Sequence, residues 1–386
     1  MSRIFELLGI VAAIIVGTLA VIFSGGVTVV RTPAISPTAS STLSVVPDFS
    51  LPPLSLPALE PSAPAATSAP AYVPPVLKKK ETPPPAAVTP ASAPAAKPVA
   101  APAPLASSGN IGLDASASLL RSALVNIICY APAGSSLHSI SGSGVIIDPK
   151  GIILTNAHVA QYFLLTDRGV SCAIRSGSPA ADKYKAQLIY ISPLWLRSNA
   201  NVLTQTLPSG TGEYDFALLA VNKSVTDAAL PAPFPSIPLA ILPPPSGTPI
   251  VIASYGAQFL EANQVQSGLF PTVVFGSVKE VFTFDLNTID VLSLGGSAAA
   301  QEGSSGGGVA DASGSLVGTI TTSTVEGATA TRELDAITAS YIRSEYASEM
   351  GRALDLLLAE PTAVSIADFA PHIPVLEAII TASLSR

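Results

Sequence analysis

The residues best suited to chemistry in this chain are one histidine, one aspartate and one serine. His158 follows the run Ile-Ile-Leu-Thr-Asn-Ala, so it lies just past the end of a predicted strand. Asp215 directly precedes the apolar run Phe-Ala-Leu-Leu, and Ser305 lies within Gly-Ser-Ser-Gly-Gly-Gly at positions 303–308. A serine hydroxyl activated by a histidine that an aspartate orients is a nucleophile for acyl transfer. The three residue types therefore predict hydrolysis through an acyl-enzyme.

The glycine-rich stretch 303–308 is suited to holding such a serine. Glycine adopts backbone conformations that other residues avoid, which allows a hydroxyl to be exposed and neighbouring N–H groups to be aimed at one point. Taken alone, the stretch is equally typical of a flexible loop, and a lone histidine is more often structural. We predict Ser305 rather than Ser304 as the nucleophile, because two glycines follow it and Gly303 lies two residues before it.

The order His, Asp, Ser differs from that of α/β-hydrolases and of subtilisins. Segments 142–158, 215–219 and 303–307 strongly resemble the three catalytic motifs of chymotrypsin-fold (trypsin-like) serine peptidases, closest to the bacterial HtrA (Deg) type. The resemblance covers about residues 113–345. It implies an all-β fold of two six-stranded antiparallel β-barrels, with the active site in the cleft between them.

The resemblance also implies a role for each residue. Ser305 is the nucleophile, His158 the general base and acid, and Asp215 the group that orients the imidazole. The backbone N–H groups of Gly303 and Ser305 form the oxyanion hole. Strand 316–322 is the expected wall of the specificity pocket, with Thr319, Ile320 and Thr321 as substrate-binding residues.

Some positions depart from the family pattern. Gly308 stands where many members have proline, and Ser304 where many have asparagine. The residues after about 345 are too few for the PDZ domain that HtrA proteins usually carry. No acid lies six residues before Ser305, and Ala298, Ala299 and Ala300 precede the motif. We therefore expect small or medium apolar residues before the cleaved bond.

The pattern of secondary structure supports an all-β domain. Short β-branched runs alternate with glycine and proline turns. They include a hairpin over 143–155 and a strand over 272–282. Apolar residues from 332 to about 360 recur at helical spacing, and 364–384 forms a second helical segment. Residues 346–386 are thus a helical C-terminal extension, which either packs on the back of a barrel or serves oligomerisation or a membrane surface.

The N-terminus predicts export. Residues 7–30 carry no charge and are long enough to cross a bilayer, so 1–31 is either a cytoplasmic stub with a transmembrane helix or a cleaved signal peptide. We favour an uncleaved anchor with the N-terminus in the cytoplasm. The catalytic domain is then extracytoplasmic, in the periplasm or at the cell surface.

Residues 32–110 read as a disordered linker. This segment holds 19 of the chain's 36 prolines and, from 32 to 108, no glycine. A Pro-, Ala- and Ser-rich segment lacks the large apolar residues that a core needs and is extended. It is long enough to hold the domain away from a membrane, or it is only a spacer.

The charge and the cysteine content limit which partners and cofactors are expected. The net charge is -7 and only 12% of residues are charged, which excludes a basic nucleic-acid-binding footprint. Cys129 and Cys172 lack metal-binding spacing, and no metal or cofactor is expected. They fall in neighbouring strands of the implied first barrel, so an exported domain favours a disulfide between them.

These observations predict a membrane-tethered, extracytoplasmic serine endopeptidase that acts on protein or peptide substrates. A catalytically silent trypsin-like fold that serves as a surface binding module is the main alternative. A purely structural envelope protein is a third reading. The sequence leaves open the physiological substrate and whether the protein is a homo-oligomer.

Overall fold

The computed structural model describes residues 110–205, 210–284, 288–323 and 326–384. The predicted transmembrane run and the linker to residue 109 lie outside these residues. Short apolar runs between turns form the strands, as the sequence pattern predicts. The strands are β1 Leu124–Tyr130, β2 Ile140–Asp148, β3 Ile152–Thr155, β4 Ser171–Gly177, β5 Ala180–Ile191, β6 Ala217–Ser224, β7 Pro249–Ser254, β8 Thr272–Ser277, β9 Glu280–Phe282, β10 Val291–Ser293, β11 Gly308–Asp311, β12 Leu316–Ser323 and β13 Leu334–Thr338.

Strands β1 to β6 close into an antiparallel barrel in the order β1-β2-β3-β6-β5-β4, which confirms the first predicted barrel. The predicted hairpin is β2–β3, and it turns at Gly151, whose φ of 88° and N–H bond to the Asp148 carbonyl fit the predicted turn. All of β3 is buried, and β6 is buried over its first five residues. Each fully buried Leu or Ile stabilises the fold by roughly 1.5–3 kcal/mol. Strand β3 and the first part of β6 are therefore firmly placed.

The second half differs from the prediction. Instead of a second six-stranded barrel, the described residues form a half-barrel, a seven-stranded sheet in the order β8-β7-β11-β12-β13-β10-β9. The run 272–282, predicted as one strand, breaks at Val278 and Lys279. Their N–H groups donate to the carbonyls of Thr248 and Ser293. This run therefore supplies both edge strands of the sheet, β8 and β9.

The helix predicted from residue 332 begins later. Residues 334–338 form β13, which pairs with β12 on one side and β10 on the other. Leu334 and Ile337 fit a helical period, but this segment forms backbone hydrogen bonds with the strands on both of its sides, β12 and β10. Tertiary pairing therefore overrides the local pattern. The helix starts at Ala339, where the Thr338 hydroxyl accepts the Tyr341 N–H at 3.1 Å.

The helices cover the outside of the strands and confirm the predicted C-terminal helices. They are α1 Leu113–Ala123, α2 Ala157–Ala160, α3 Pro193–Asn199, α4 Ala262–Ser267, α5 Ala339–Met350, α6 Leu354–Ala359, α7 Thr362–Phe369 and α8 Ile373–Leu384. Helix α7 packs on β5 and α8 on α3, so the C-terminal segment lies against the first barrel. Within the described chain, 362–384 is also long and apolar enough to span a membrane by length and composition, with a mean hydropathy of 1.4.

Candidate active site

His158 is held at the end of β3 by the short helix that follows. Asn156 has an extended backbone, and the chain turns into α2 immediately after it. The imidazole Nδ1 lies 2.7 Å from Asp215 Oδ2, and the His158 backbone N–H donates to Asp215 Oδ1 at 3.0 Å. With a carboxylate as its partner, Nδ1 carries the proton, so in the neutral ring Nε2 is left with a free lone pair.

Asp215 is buried two residues before β6, and several hydrogen bonds hold it. Its carboxylate accepts both bonds from His158 and a third, at 3.0 Å, from the Thr321 hydroxyl. Its own carbonyl accepts the Asn156 side-chain N–H at 2.8 Å. A buried carboxylate is costly unless donors replace its lost water. These donors both offset that cost and fix the direction of the carboxylate.

The turn before Asp215 is unusual. Tyr214 has a φ of 56°, a conformation that an aromatic residue rarely adopts. The Tyr214 N–H donates to the hydroxyl oxygen of Tyr341 at 3.0 Å. Burial raises the pKa of Tyr341, so its phenol stays neutral. Helix α5, on which Tyr341 lies, therefore supports the turn that presents Asp215.

Ser305 lies in a loop that is held mainly by backbone hydrogen bonds. Its carbonyl accepts the Ser143 N–H at 2.7 Å, and the next residue, Gly306, donates its N–H to Ile320 at 2.9 Å. Gly306 has a φ of 84°, and a Cβ there would lie 2.0 Å from the Ser143 carbonyl oxygen. Only glycine fits this position. The neighbouring Ser304 is buried, and its hydroxyl accepts from Ser254 at 3.1 Å.

The peptide between Glu302 and Gly303 has a fixed orientation. The Glu302 carbonyl accepts the Ala257 N–H at 2.8 Å. In a trans peptide the N–H points opposite to the carbonyl, so the Gly303 N–H is turned away from Ala257. Gly303 itself has a φ of 88°, which glycine tolerates without strain. Both predicted oxyanion residues, Gly303 and Ser305, line the same cavity.

That cavity, of about 740 Å³, brings most of the predicted site together. His158, Asp215, Ser305, Gly303 and Thr321 all line it. Of the three predicted substrate-binding residues, only Thr321 does so. Thr319 and Ile320 are buried and do not line the cavity. The Ile320 backbone forms hydrogen bonds with the backbone of Gly306 and Gly307.

The walls of the cavity are more acidic than the sequence indicated. Ala299 and Ala300, from which an apolar preference was predicted, are fully buried and lie outside the cavity lining. The described lining contains neither lysine nor arginine. In addition to Asp215, four acidic side chains line the cavity: Glu213, Glu302, Glu333 and Asp335. Tyr162 also lines it, and burial raises the pKa of its phenol to about 12.

The two cysteines lie directly opposite each other on β1 and β4. The structure joins Cys129 and Cys172 in a disulfide with an S–S distance of 2.07 Å. Among the residues that the structure describes, no group of three or more His, Cys, Asp or Glu side chains is placed to hold a metal ion.

Three residues of the site escaped the sequence analysis: Asn156, Ser143 and Tyr341. Asn156 and Ser143 lie inside the motif around His158, but nothing in the local pattern shows that their side chains reach residues 215 and 303. Tyr341 lies more than a hundred residues from Tyr214, its partner. Only the folded chain brings such groups together.

Comparisons with known proteins agree with the motifs. Residues 142–318 match the family described as the trypsin-like peptidase domain, which confirms the resemblance inferred from the sequence. No curated protein matches the chain.

Among solved structures, the chain is similar to the Rv3671c protease from M. tuberculosis. The active form shows 20% identity, covers 70% of this chain and 95% of that chain, and has a TM-score of 0.39. The inactive form shows 19% identity, covers 66% of this chain and 99% of that chain, and has a TM-score of 0.39. An inactive serine-to-alanine mutant of Rv3671c from M. tuberculosis H37Rv shows 18% identity, covers 66% of this chain and 97% of that chain, and has a TM-score of 0.39.

Proposed function

Since residues 142–318 match the trypsin-like peptidase domain family, we propose that the protein is a serine endopeptidase with His158, Asp215 and Ser305 as its catalytic triad. One observation carries the proposal. The 2.7 Å bond between His158 Nδ1 and Asp215 Oδ2 lies in the wall of the cavity that Ser305 also lines. A base that a carboxylate orients, in the same cavity as a serine of a glycine loop, is the arrangement that acyl transfer uses.

The reaction proceeds in two halves. Ser305 Oγ attacks the scissile carbonyl carbon while His158 Nε2 takes the hydroxyl proton, and Asp215 stabilises the imidazolium that forms. His158 then gives the proton to the leaving amine, and the C–N bond breaks to leave an acyl-enzyme. In the second half, His158 takes a proton from water, the resulting hydroxide equivalent attacks the ester, and Ser305 regains its proton as the acid product leaves.

The negative charge that develops on the carbonyl oxygen is stabilised by backbone donors. The N–H groups of Gly303 and Ser305 have no backbone acceptor among the described residues, so both are free to bind an oxyanion. Each such donor contributes a factor of roughly 10²–10³ to kcat. The bond from Ala257 to the Glu302 carbonyl keeps the Gly303 peptide in this orientation without a bound substrate.

An extended peptide is the expected substrate. The pairing of β12 with β11 ends at Thr319, and the Ile320 backbone is bonded to Gly306 and Gly307. From Thr321 onward, no strand among the described residues pairs with this edge of β12. A substrate strand adds to such an edge through main-chain hydrogen bonds, next to Thr321. The acidic walls favour peptides with positive charge near the cleaved bond, whereas the preference for small apolar residues remains a prediction from the sequence.

The proposed location follows from the N-terminal segment. An uncharged run over 7–30 and a proline-rich linker over 32–110 would tether the domain to a membrane and place it outside the cytoplasm. Unfolded or surface proteins would then be its substrates. The tether is tested by fractionating cells that express the full chain and by determining its mature N-terminus by mass spectrometry. Release of the chain from membranes in carbonate, with a new N-terminus near residue 20, would identify a cleaved signal peptide instead.

Labelling with a fluorophosphonate tests the enzyme itself. The wild-type chain should be labelled at Ser305, Ser305→Ala should not be labelled, and Ser304→Ala should remain labelled because the Ser304 hydroxyl is buried against Ser254. The wild type and Ser304→Ala should also digest casein, whereas Ser305→Ala should not. A wild-type chain that neither labels nor digests casein, with or without candidate peptide activators, would favour the silent binding module.

A further inference from the structure

Ser143 lies at the meeting point of the barrel and the half-barrel. It is fully buried on β2, one residue after the start of the segment that resembles the histidine motif. Its backbone N–H donates to the Ser305 carbonyl at 2.7 Å, and its own carbonyl accepts the Thr155 hydroxyl at 2.7 Å. Thr155 ends β3, three residues before His158. The main chain of Ser143 thus joins the histidine segment to the serine loop.

The Ser143 side chain makes a second, independent connection. Its hydroxyl donates to the Gly303 carbonyl at 2.8 Å and accepts the Tyr255 N–H at 2.8 Å. One buried oxygen is therefore bonded at once to the glycine loop and to the segment that follows β7. Because the hydroxyl uses both its donor and an acceptor position, it fixes the distance between these two pieces of backbone.

The peptide between Glu302 and Gly303 is held between Ser143 and the segment that follows β7. On one side, Ala257 donates its N–H to the Glu302 carbonyl at 2.8 Å. On the other side, the Gly303 carbonyl is held by Ser143. There is little free space between them, since a Cβ on Gly303 would lie 2.8 Å from the Tyr255 carbonyl oxygen. A shift of either segment would therefore rotate the Gly303 N–H.

We propose that the Ser143 hydroxyl is a positioning group for the oxyanion hole: by bonding both the Gly303 carbonyl and the Tyr255 N–H, it sets the direction of the Gly303 N–H. This inference rests on the proposed function. Ser143 does not touch the substrate and takes no part in proton transfer. Its effect is on the transition state, because the oxyanion exists there and not in the bound substrate.

Replacement of Ser143 by alanine separates this role from a general structural one. In Ser143→Ala the main-chain bonds remain, while the link from Gly303 to Tyr255 is lost. We expect kcat for a fluorogenic peptide, counted per titrated active site, to fall roughly 10- to 100-fold, the scale of a displacement of about 1 Å at a reacting centre. KM should change less than about twofold, because ground-state binding gains nothing from the oxyanion hole.

Two further readouts identify the oxyanion hole as the affected part. A peptide aldehyde, whose hemiacetal oxygen occupies the hole, should lose affinity in parallel with kcat/KM, whereas the matching neutral peptide alcohol, which forms no hemiacetal, should not. The acid limb of the pH profile should keep its position, because the Ser143 side chain contacts neither His158 nor Asp215. A shift of that limb, or equal losses for the aldehyde and the alcohol, would overturn the proposal.

Ser365→Ala is a matched control, since Ser365 is also buried but lies on α7, outside the cavity lining. It should keep the wild-type kcat. If Ser143→Ala does not fold, Ser143→Cys retains a weak S–H donor and should show a smaller loss of the same kind. Wild-type kcat per titrated site in the folded Ser143 variant would overturn the proposal. A wild-type chain without Ser305-dependent labelling would instead overturn the proposed function.

Discussion

The two halves of the site are built by different means. In the barrel, His158 and Asp215 are fixed by side chains: the imidazole and the Thr321 hydroxyl both donate to the carboxylate. In the half-barrel, Ser305 is fixed by backbone: carbonyl and N–H groups of residues 302–307 bond to neighbouring segments, and glycines allow the close approach. In the proposed mechanism the first half serves proton transfer, whereas the second fixes the shape of the loop that carries Ser305.

The difference predicts different responses to substitution. A side chain in the barrel can be replaced by an isostere with little change in shape, so chemistry is lost while the fold remains. A glycine in the loop cannot be replaced without moving the backbone, so geometry and stability are lost together. The hydroxyl groups of Thr321 and Ser143 connect the two halves by hydrogen bonds to Asp215 and to the Gly303 carbonyl.

The largest effect is expected for Asp215→Asn. The amide keeps the shape of the carboxylate but does not stabilise the imidazolium or hold the required tautomer, so kcat should fall by about 10⁴-fold. The fold should be retained. Steady-state kinetics and thermal unfolding of the purified variant measure both quantities.

Asp290→Asn is the matched control in the other half. Asp290 is also buried, and it accepts bonds from Thr283, Thr288 and the Phe284 N–H rather than from the site. It should lose stability and keep the wild-type kcat. A loss of kcat in Asp290→Asn similar to that in Asp215→Asn would contradict the separation between the two halves.

Gly306→Ala should give the next largest effect, through the backbone. The added Cβ would lie 2.0 Å from the Ser143 carbonyl oxygen and 2.5 Å from the Thr155 hydroxyl, so the loop must move. A displacement of about 1 Å is expected to cost roughly 10²-fold in kcat, and the melting temperature should fall.

Gly247→Ala separates the conformational cost from the clash. Gly247 has a φ of 85°, almost the same as that of Gly306, but a Cβ there meets nothing within 4 Å. It should cost about 1–2 kcal/mol of stability, as for a residue forced into the left-handed region, and leave kcat unchanged. Equal kcat for Gly306→Ala and Gly247→Ala would show that the loop tolerates the contact.

Thr321→Val is expected to have a smaller effect, in the link between the halves. Valine has the shape of threonine but cannot donate to Asp215 Oδ2, which leaves the carboxylate with its two bonds from His158. Loss of one hydrogen bond to a charged group is worth about 1.5–3 kcal/mol in general. Because two donors remain, we expect about a 10-fold decrease in kcat. Unchanged kcat and an unchanged pH profile would show that the Thr321 hydroxyl does not contribute to catalysis through Asp215.

The smallest effect concerns stability in alkali. The Tyr162 hydroxyl donates to the His138 carbonyl at 2.8 Å, and burial raises its pKa to about 12. In the unfolded chain a tyrosine ionises near pH 10, so the stability that this residue contributes below pH 10 is lost as the pH rises from 10 to 12. The slope should be about 1.4 kcal/mol per pH unit.

Tyr162→Phe cannot ionise and tests that contribution. Its free energy of unfolding should decrease less steeply than that of the wild type between pH 10 and 12, in denaturant titrations at fixed ionic strength. Parallel curves for the two proteins over this range would show that Tyr162 ionises equally in the folded and unfolded states.

The sequence pattern was most informative where the structure depends on neighbouring residues. The hairpin β2–β3, with its turn at Gly151, and strand β7 are short-range features that composition and alternation reveal. The pattern failed at β13 and at the break between β8 and β9. In both cases the outcome depends on pairing with other strands of the sheet, which local periodicity does not encode.

The sequence by itself determined the types and order of the proposed reactive residues and the placement of glycine at 303 and 306. These follow from side-chain chemistry and from backbone sterics, both of which are local. Only the tertiary structure decided that Thr321 supports Asp215, that Tyr341 holds the turn before it, and that Ser143 bonds the Gly303 carbonyl. Those contacts join residues 106, 127 and 160 positions apart, and a hydrogen bond forms only where folding brings its two atoms within about 3 Å.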